Sequence, residues 1–229
     1  MADPNLELLH AMALALGPLR ERMVFVGGCA TGLLLTDPAA AGVRATEDVD
    51  AIIEVATLAG YHAMQSLLAE RGFKQTMEAN TPPFRWFWSG MQLDLVPVDE
   101  RVMGFANRWY RPGFAAAVTA EIGPGITLRH LNAPYFLATK FEAFNDRGGR
   151  DVYVSHDLED IITVIDGRVD LADELVQAEL SVRAHVVAQT QALLAHPDMQ
   201  NALPGIVAQP IRAGVVLERL QHIASLSLR

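Results

Sequence analysis

The sequence predicts an α/β fold, a small mixed sheet flanked by helices, followed by a largely helical C-terminal region. Three observations predict it. An apolar run, Val24-Phe25-Val26, passes through Gly27-Gly28 into a helix-like stretch over residues 29–35, and a β-branched run follows over residues 49–55. Two more β-rich runs, residues 84–88 and 91–96, flank Ser89-Gly90 and read as a hairpin. Apolar residues recur at helical spacing over residues 5–22 and through much of residues 171–229.

Taken in order, Leu6, Leu9, Met12, Ala13, Leu16 and Leu19 predict an amphipathic helix that covers the sheet. Residues 58–71 predict a second helix, stopped by Gly72, and residues 73–77 a short strand. Beyond the first hairpin, residues 114–131 predict a second one, turning at Gly123-Pro124-Gly125. A helix is expected over residues 133–145, with Phe136, Leu137, Phe141 and Phe144 along one stripe. The C-terminal third is expected to be helical, with breaks at His196-Pro197, Pro204 and Pro210. This divides the chain into a core over residues 1–131 and a helical region over 132–229. Residues 132–166 of that region complete the site, and residues 167–229 form a cap or partner surface.

A chain of 229 residues that is 51% hydrophobic can bury a sizeable core. Its single cysteine, Cys29, excludes an internal disulfide framework, and no Cys/His cluster has structural zinc spacing. The N-terminus lacks the features of a signal peptide, and no run of about 18 apolar residues occurs. A soluble, cytoplasmic protein is therefore expected. The net charge of −9 argues against a surface that coats nucleic acid. Charge is uneven, however: residues 101–150 hold seven Arg or Lys against Glu121, Glu142 and Asp146, a balance of +4 that leaves −13 for the rest. Within that window Arg147 and Arg150, beside Gly148-Gly149, are placed to meet phosphate.

The chemistry concentrates in residues 24–55. Strand side chains alternate faces, so Asp48 and Asp50 share one face while Val49, Ala51, Ile53 and Val55 share the other. Paired carboxylates suit Mg²⁺, which is usually bound by one or two of them together with water and substrate phosphates. Gly27 and Gly28 permit a sharp turn and a close approach of phosphate to the backbone. Singly, a Gly-Gly pair reads as a tight turn and two acids as a solvated strand entrance. Their order and combination carry the functional reading.

Gly27-Gly28-Cys29-Ala30-Thr31-Gly32-Leu33-Leu34 followed by Arg44-x-Thr46-x-Asp48-Val49-Asp50 resembles the signature of the DNA polymerase β-like nucleotidyltransferase superfamily. More narrowly it is similar to the AbiEii/MenT-type toxin nucleotidyltransferases, departing from their pattern at Cys29, where Thr is frequent, and at Thr46, where Ser is frequent. The resemblance implies a polymerase β-like core with two Mg²⁺ ions on Asp48, Asp50 and a third acid on a neighbouring strand. Asp94 matches that third position; the competing reading is an Asp capping a strand that Pro97 ends. It also implies that Gly27, Gly28, Arg44 and Thr46 serve the nucleotide. Residues 138–147 and 155–161 resemble the family's Lys helix and Asp-rich helix, which places Lys140 on the nucleotide phosphates with Asp157 or Asp160 orienting it or the nucleotide. The alternative for Lys140 is a snorkelling lysine. For Asp157 and Asp160, three apart on one helical face, the alternative is acids favoured in a first turn.

The implied reaction transfers a nucleoside monophosphate from an NTP to an acceptor. The toxin family implies a tRNA 3′ end and a cognate antitoxin, whereas the acidic chain favours a small hydroxylated acceptor such as an aminoglycoside. A non-catalytic module that binds nucleotide or antitoxin is the rival from another class.

Overall fold

The computed structural model describes residues 3–40, 42–76, 78, 81–146 and 151–228. Helix α1 (Pro4–Leu16) begins where Asp3 accepts from the Asn5 amide and Pro4 occupies the first turn, and it stops at Gly17. Gly17 has φ +53°, which a residue with a side chain adopts only under strain. The expected helix to residue 22 is thus cut short, and Gly17–Arg22 continues as 3-10 turns. Strand β1 (Met23–Val26) is buried throughout and leads into a 3-10 helix, Gly28–Leu34. Strand β2 (Asp48–Ile53) precedes α2 (Leu58–Glu70), which Thr57 caps by accepting from the Gly60 amide.

Residues 73–77 were expected to form a strand. Within them Lys74 makes one bridge to Phe87 and the Gln75 side chain donates to the Pro83 carbonyl, while residue 77 lies outside the described residues. Strands β3 (Arg85–Trp88) and β4 (Met91–Pro97) form the first hairpin; β5 (Val118–Gly123) and β6 (Ile126–His130) form the second. Phe114 and Ala115, assigned by sequence to the second hairpin, belong to α4 (Tyr110–Ala115), which follows α3 (Glu100–Met103). Helices of four and six residues are too short to leave a periodic signature, so neither was anticipated.

The strands make one mixed sheet in the order β3-β4-β2-β1-β6-β5. β2 runs parallel to β4 and antiparallel to β1, with Asp48 beside Gln92 and Asp50 beside Asp94. β3 is antiparallel to β4, with Arg85 beside Asp94 and Phe87 beside Gln92. This unit, residues 3–30 and 44–132, buries Leu9, Met12, Leu16, Phe25, Ile52 and Tyr61.

A second unit joins residues 31–43 to the chain from Ala133 onward. It is helical: α5 (Ala133–Asp146), α6 (His156–Gly167), α7 (Leu171–Gln177), α8 (Leu180–Leu194), α9 (Met199–Ile206) and α10 (Ala213–Ala224). Pro204 was expected to break this region; it lies inside α9, which ends two residues later. The Thr36 and Asp37 amides donate to the Gly167 carbonyl, and Asp37 receives Arg212 and Arg219 at 2.8 and 3.2 Å, which anchors residues 36–37 to α6 and α10. Among the described residues no helix is long and apolar enough to cross a membrane.

Candidate active site

Asp48, Asp50 and Asp94 converge because of sheet geometry. In β2 the burial alternates at Asp48, Val49 and Asp50, with Val49 buried in the core and both aspartates half-exposed. The parallel register then sets Asp94 of β4 beside Asp50, on the same face. One carboxylate oxygen from each of the three residues lies within 4.8 Å of the other two. Among the described residues no other group of three His, Cys, Asp or Glu side chains has such a geometry. Asp94 is mid-strand on β4 and faces the other two acids, so the strand-cap alternative does not describe it.

Gly27 lies against this cluster. Its φ is +73°, and a Cβ added there would meet Asp50 Oδ2 at 2.0 Å. Gly27→Ala is therefore expected to displace the Asp50 carboxylate and to cost about 1–3 kcal/mol in strain. Urea unfolding and Mn²⁺ binding measured together check this: both decrease on this account, and unaltered Mn²⁺ binding would contradict the close approach. Gly28 opens the 3-10 helix.

Arg44 and Thr46 lead into β2. The Thr46 hydroxyl donates to the Asp48 carbonyl at 3.2 Å, and the Arg44 guanidinium donates to the Ala45 carbonyl at 3.3 Å. Both contacts are local and shape the entry to the strand. The segment is pinned by Asn5, buried in α1, whose amide group donates to the Arg44 carbonyl and accepts from the Thr46 amide, both at 2.9 Å. Sequence reasoning missed Asn5, for which an isolated helix-start asparagine offers no signal.

Arg85 was also missed. Its Nε donates to Asp94 Oδ1 at 2.8 Å and an Nη to Oδ2 at 2.7 Å, a two-pronged pair. The hydrogen bonds to Asp94 hold the guanidinium pKa above its ordinary value, and the charges of Asp48 and Asp50 add to this. The hairpin carried a signal: a turn at Ser89-Gly90 pairs Trp88 with Met91, and hence Arg85 with Asp94. The Gln92 carboxamide turns its oxygen to Arg85, accepting at 3.1 and 3.0 Å, the orientation that matches donors to acceptors at both ends.

The remaining candidates lie in the helical unit. Lys140 of α5 is buried, with its ammonium 3.0 Å from Asp157 Oδ1 and 2.6 Å from Asp160 Oδ2 of α6. It does not snorkel to solvent. Burial lowers its pKa, but the charges of Asp160 and Asp157 outweigh that and leave it raised. Asp157 and Asp160 sit in the first turns of α6, where Ser155 caps the helix by accepting from the Leu158 amide. Arg147 and Arg150 lie outside the described residues. In the basic window, Arg101 and Arg111 both reach Asp99, at 2.5 and 2.6 Å, and hydrogen bonding from Arg101 holds that carboxyl well below its usual range.

No protein-family model matches the sequence, and neither does any curated protein. Solved structures do. An antigenic nucleotidyltransferase-like protein from Paracoccidioides brasiliensis superposes with a TM-score of 0.50 and 22% identity, over 90% of this chain and 93% of that one. The antibiotic-resistance factor ANT(2'')-Ia gives 0.48 and 17%, over 83% and 95%. JHP933 from Helicobacter pylori gives 0.48 and 13%, over 98% and 93%. The first of these likenesses defines the fold as that of nucleotidyltransferase-like proteins. It bears on the fold and not on the narrower toxin family.

Proposed function

We propose that the chain transfers a nucleoside monophosphate from an NTP to an acceptor hydroxyl and releases pyrophosphate. The convergence of Asp48, Asp50 and Asp94 on one sheet face, in a nucleotidyltransferase fold, carries this reading. Three carboxylates offering only oxygen donors fit a hard divalent cation such as Mg²⁺, and these three residues would hold the two ions expected. When bound, such ions activate the acceptor oxygen and neutralise charge on the leaving pyrophosphate.

The protein's own part is mainly positioning, which dominates phosphoryl-transfer catalysis together with electrostatics. Gly27 leaves the Asp50 carboxylate room against the backbone, and a triphosphate approaching Gly27-Gly28 would meet backbone rather than side chains. Thr46 and Asn5 fix the entry to β2 and with it the direction of Asp48. The phosphate role that the resemblance implies for Lys140 requires its ammonium to be shared with, or taken from, Asp157 and Asp160. In the resting protein those three groups join α5 to α6.

For the acceptor we take the tRNA 3′ end implied by the likeness to AbiEii/MenT-type toxins, with an antitoxin as partner. A small hydroxylated acceptor is the second reading. It is favoured by the pairing of Arg101 and Arg111 with Asp99 and of Lys140 with two aspartates, which neutralises much of the basic window. Acceptor binding measured across salt separates them. Even two neutralised phosphates predict about a tenfold loss between 50 and 200 mM salt, and a flat response from an acceptor that takes up label identifies the small molecule.

A further inference from the structure

We infer that Arg85 is the resident counter-ion of the carboxylate cluster and competes with a divalent cation for Asp94, so that it sets how readily the site loads metal. This rests on the reading of Asp48, Asp50 and Asp94 as a cation seat. Both oxygens of Asp94 are taken by the guanidinium, at 2.8 and 2.7 Å. The carboxylate is 7% exposed and the arginine 28%, so the pair is sheltered rather than a solvated surface contact. It is also built in by register: Arg85 of β3 and Asp94 of β4 are cross-strand neighbours on the face that carries Asp48 and Asp50.

Three carboxylates gathered this closely repel one another unless a cation lies among them. Arg85 supplies one positive charge, and all three acids act on it. A carboxylate oxygen has lone pairs enough to accept both an N–H and a metal bond. Charge decides against such sharing, because a divalent ion and a guanidinium on one carboxylate repel each other. The arginine is also provided with somewhere to go. With its oxygen turned toward β3, the Gln92 carboxamide accepts from Arg85 Nε at 3.1 Å and Nη2 at 3.0 Å, so the guanidinium can release an Asp94 oxygen without losing every partner. Arginine suits this role better than lysine, since only the planar fork occupies both oxygens of Asp94 at once.

The test is Mn²⁺ binding by the nucleotide-free protein, followed by electron paramagnetic resonance, for wild type, Arg85→Gln, Arg85→Lys and Asp50→Asn. Competition predicts Mn²⁺ affinity raised about tenfold in Arg85→Gln, the effect of losing one charge-assisted pair. It also predicts a smaller rise in Arg85→Lys, whose ammonium keeps the charge but not the fork. Tightening in Arg85→Gln with none in Arg85→Lys would overturn the inference in favour of a general charge effect, and so would unchanged or weaker binding in both. If Asp50→Asn loses Mn²⁺ while both Arg85 variants bind it as the wild type does, the cation seat stands and this inference falls; a wild type that binds no Mn²⁺ overturns both. A second measurement needs no variant. Phenylglyoxal labelling of Arg85 in the wild type, located by mass spectrometry, is expected to accelerate when Mn²⁺ is added, and an unchanged or slower rate would overturn the competition.

Discussion

Asp50→Ala is expected to keep the fold and to lose at least about a thousandfold in nucleotidyl transfer. Stabilisation of a phosphoryl-transfer transition state by metal ions amounts to several kcal/mol, and every 1.36 kcal/mol is a factor of ten in rate. Asp50 is the middle member of the cluster. It lies beside Asp94 in the β2–β4 register and against Gly27, so both strands and the glycine turn meet at its carboxylate. Its removal also takes one of three like charges from a confined face, so folding loses little or gains. The melting temperature is expected to stay within a few degrees of wild type while turnover disappears. Parallel loss of both would point to a structural role for Asp50, and the same holds for Asp48→Ala.

Lys140→Met is expected to do the reverse, by lowering stability. It leaves Asp157 and Asp160 buried without their ammonium, and breaking a buried ion pair on one side costs about 3–5 kcal/mol. The dependence on pH distinguishes this from lost packing. In the wild type the lysine pKa is raised above its ordinary 10.5, so the stability it confers is fully present below that pH and is lost only as pH rises through the higher folded value. Between pH 5 and 8 the wild type therefore keeps this contribution whole. Urea unfolding is therefore expected to show a deficit of the variant relative to wild type that narrows as pH rises above 10.5, where the wild type loses this contribution. A deficit that does not narrow there, or one below about 1 kcal/mol, would mean that the lysine stem matters and its charge does not.

What was legible in the sequence follows from which interactions are local. The period of two in Asp48-Val49-Asp50 and the Ser89-Gly90 turn are short-range signals, and the structure has Asp48 and Asp50 on one face and the hairpin as they imply; that Asp94 joins the two acids was implied by the family resemblance, since the β2–β4 pairing is long-range. The helical stripe of α5 was legible from short-range signals too; the family resemblance implied Asp157 or Asp160 as the group orienting Lys140, and what periodicity left open was whether its ammonium is enclosed. Whether an ammonium reaches solvent or is enclosed depends on what packs over it, and Asp157 and Asp160 arrive from another helix. Asn5 and Arg44 are separated by 39 residues, and their contact depends on how α1 lies on the sheet. Arg85 is the instructive omission, because the hairpin already determined its partner. The end of α1 at Gly17 and the short α3 and α4 turn on single residues, where periodicity averages the signal away.

Nucleotidyl transfer is tested by following the two ends of the nucleotide. Purified protein is incubated with Mg²⁺ and each NTP, labelled either at the α- or at the γ-phosphate, together with total tRNA or a panel of small hydroxylated acceptors. The account predicts that α-label passes to an acceptor while γ-label appears in pyrophosphate, and that both signals vanish in Asp48→Ala and Asp50→Ala. Transfer of γ-label to the acceptor, or α-label transfer that survives in Asp50→Ala, would contradict it.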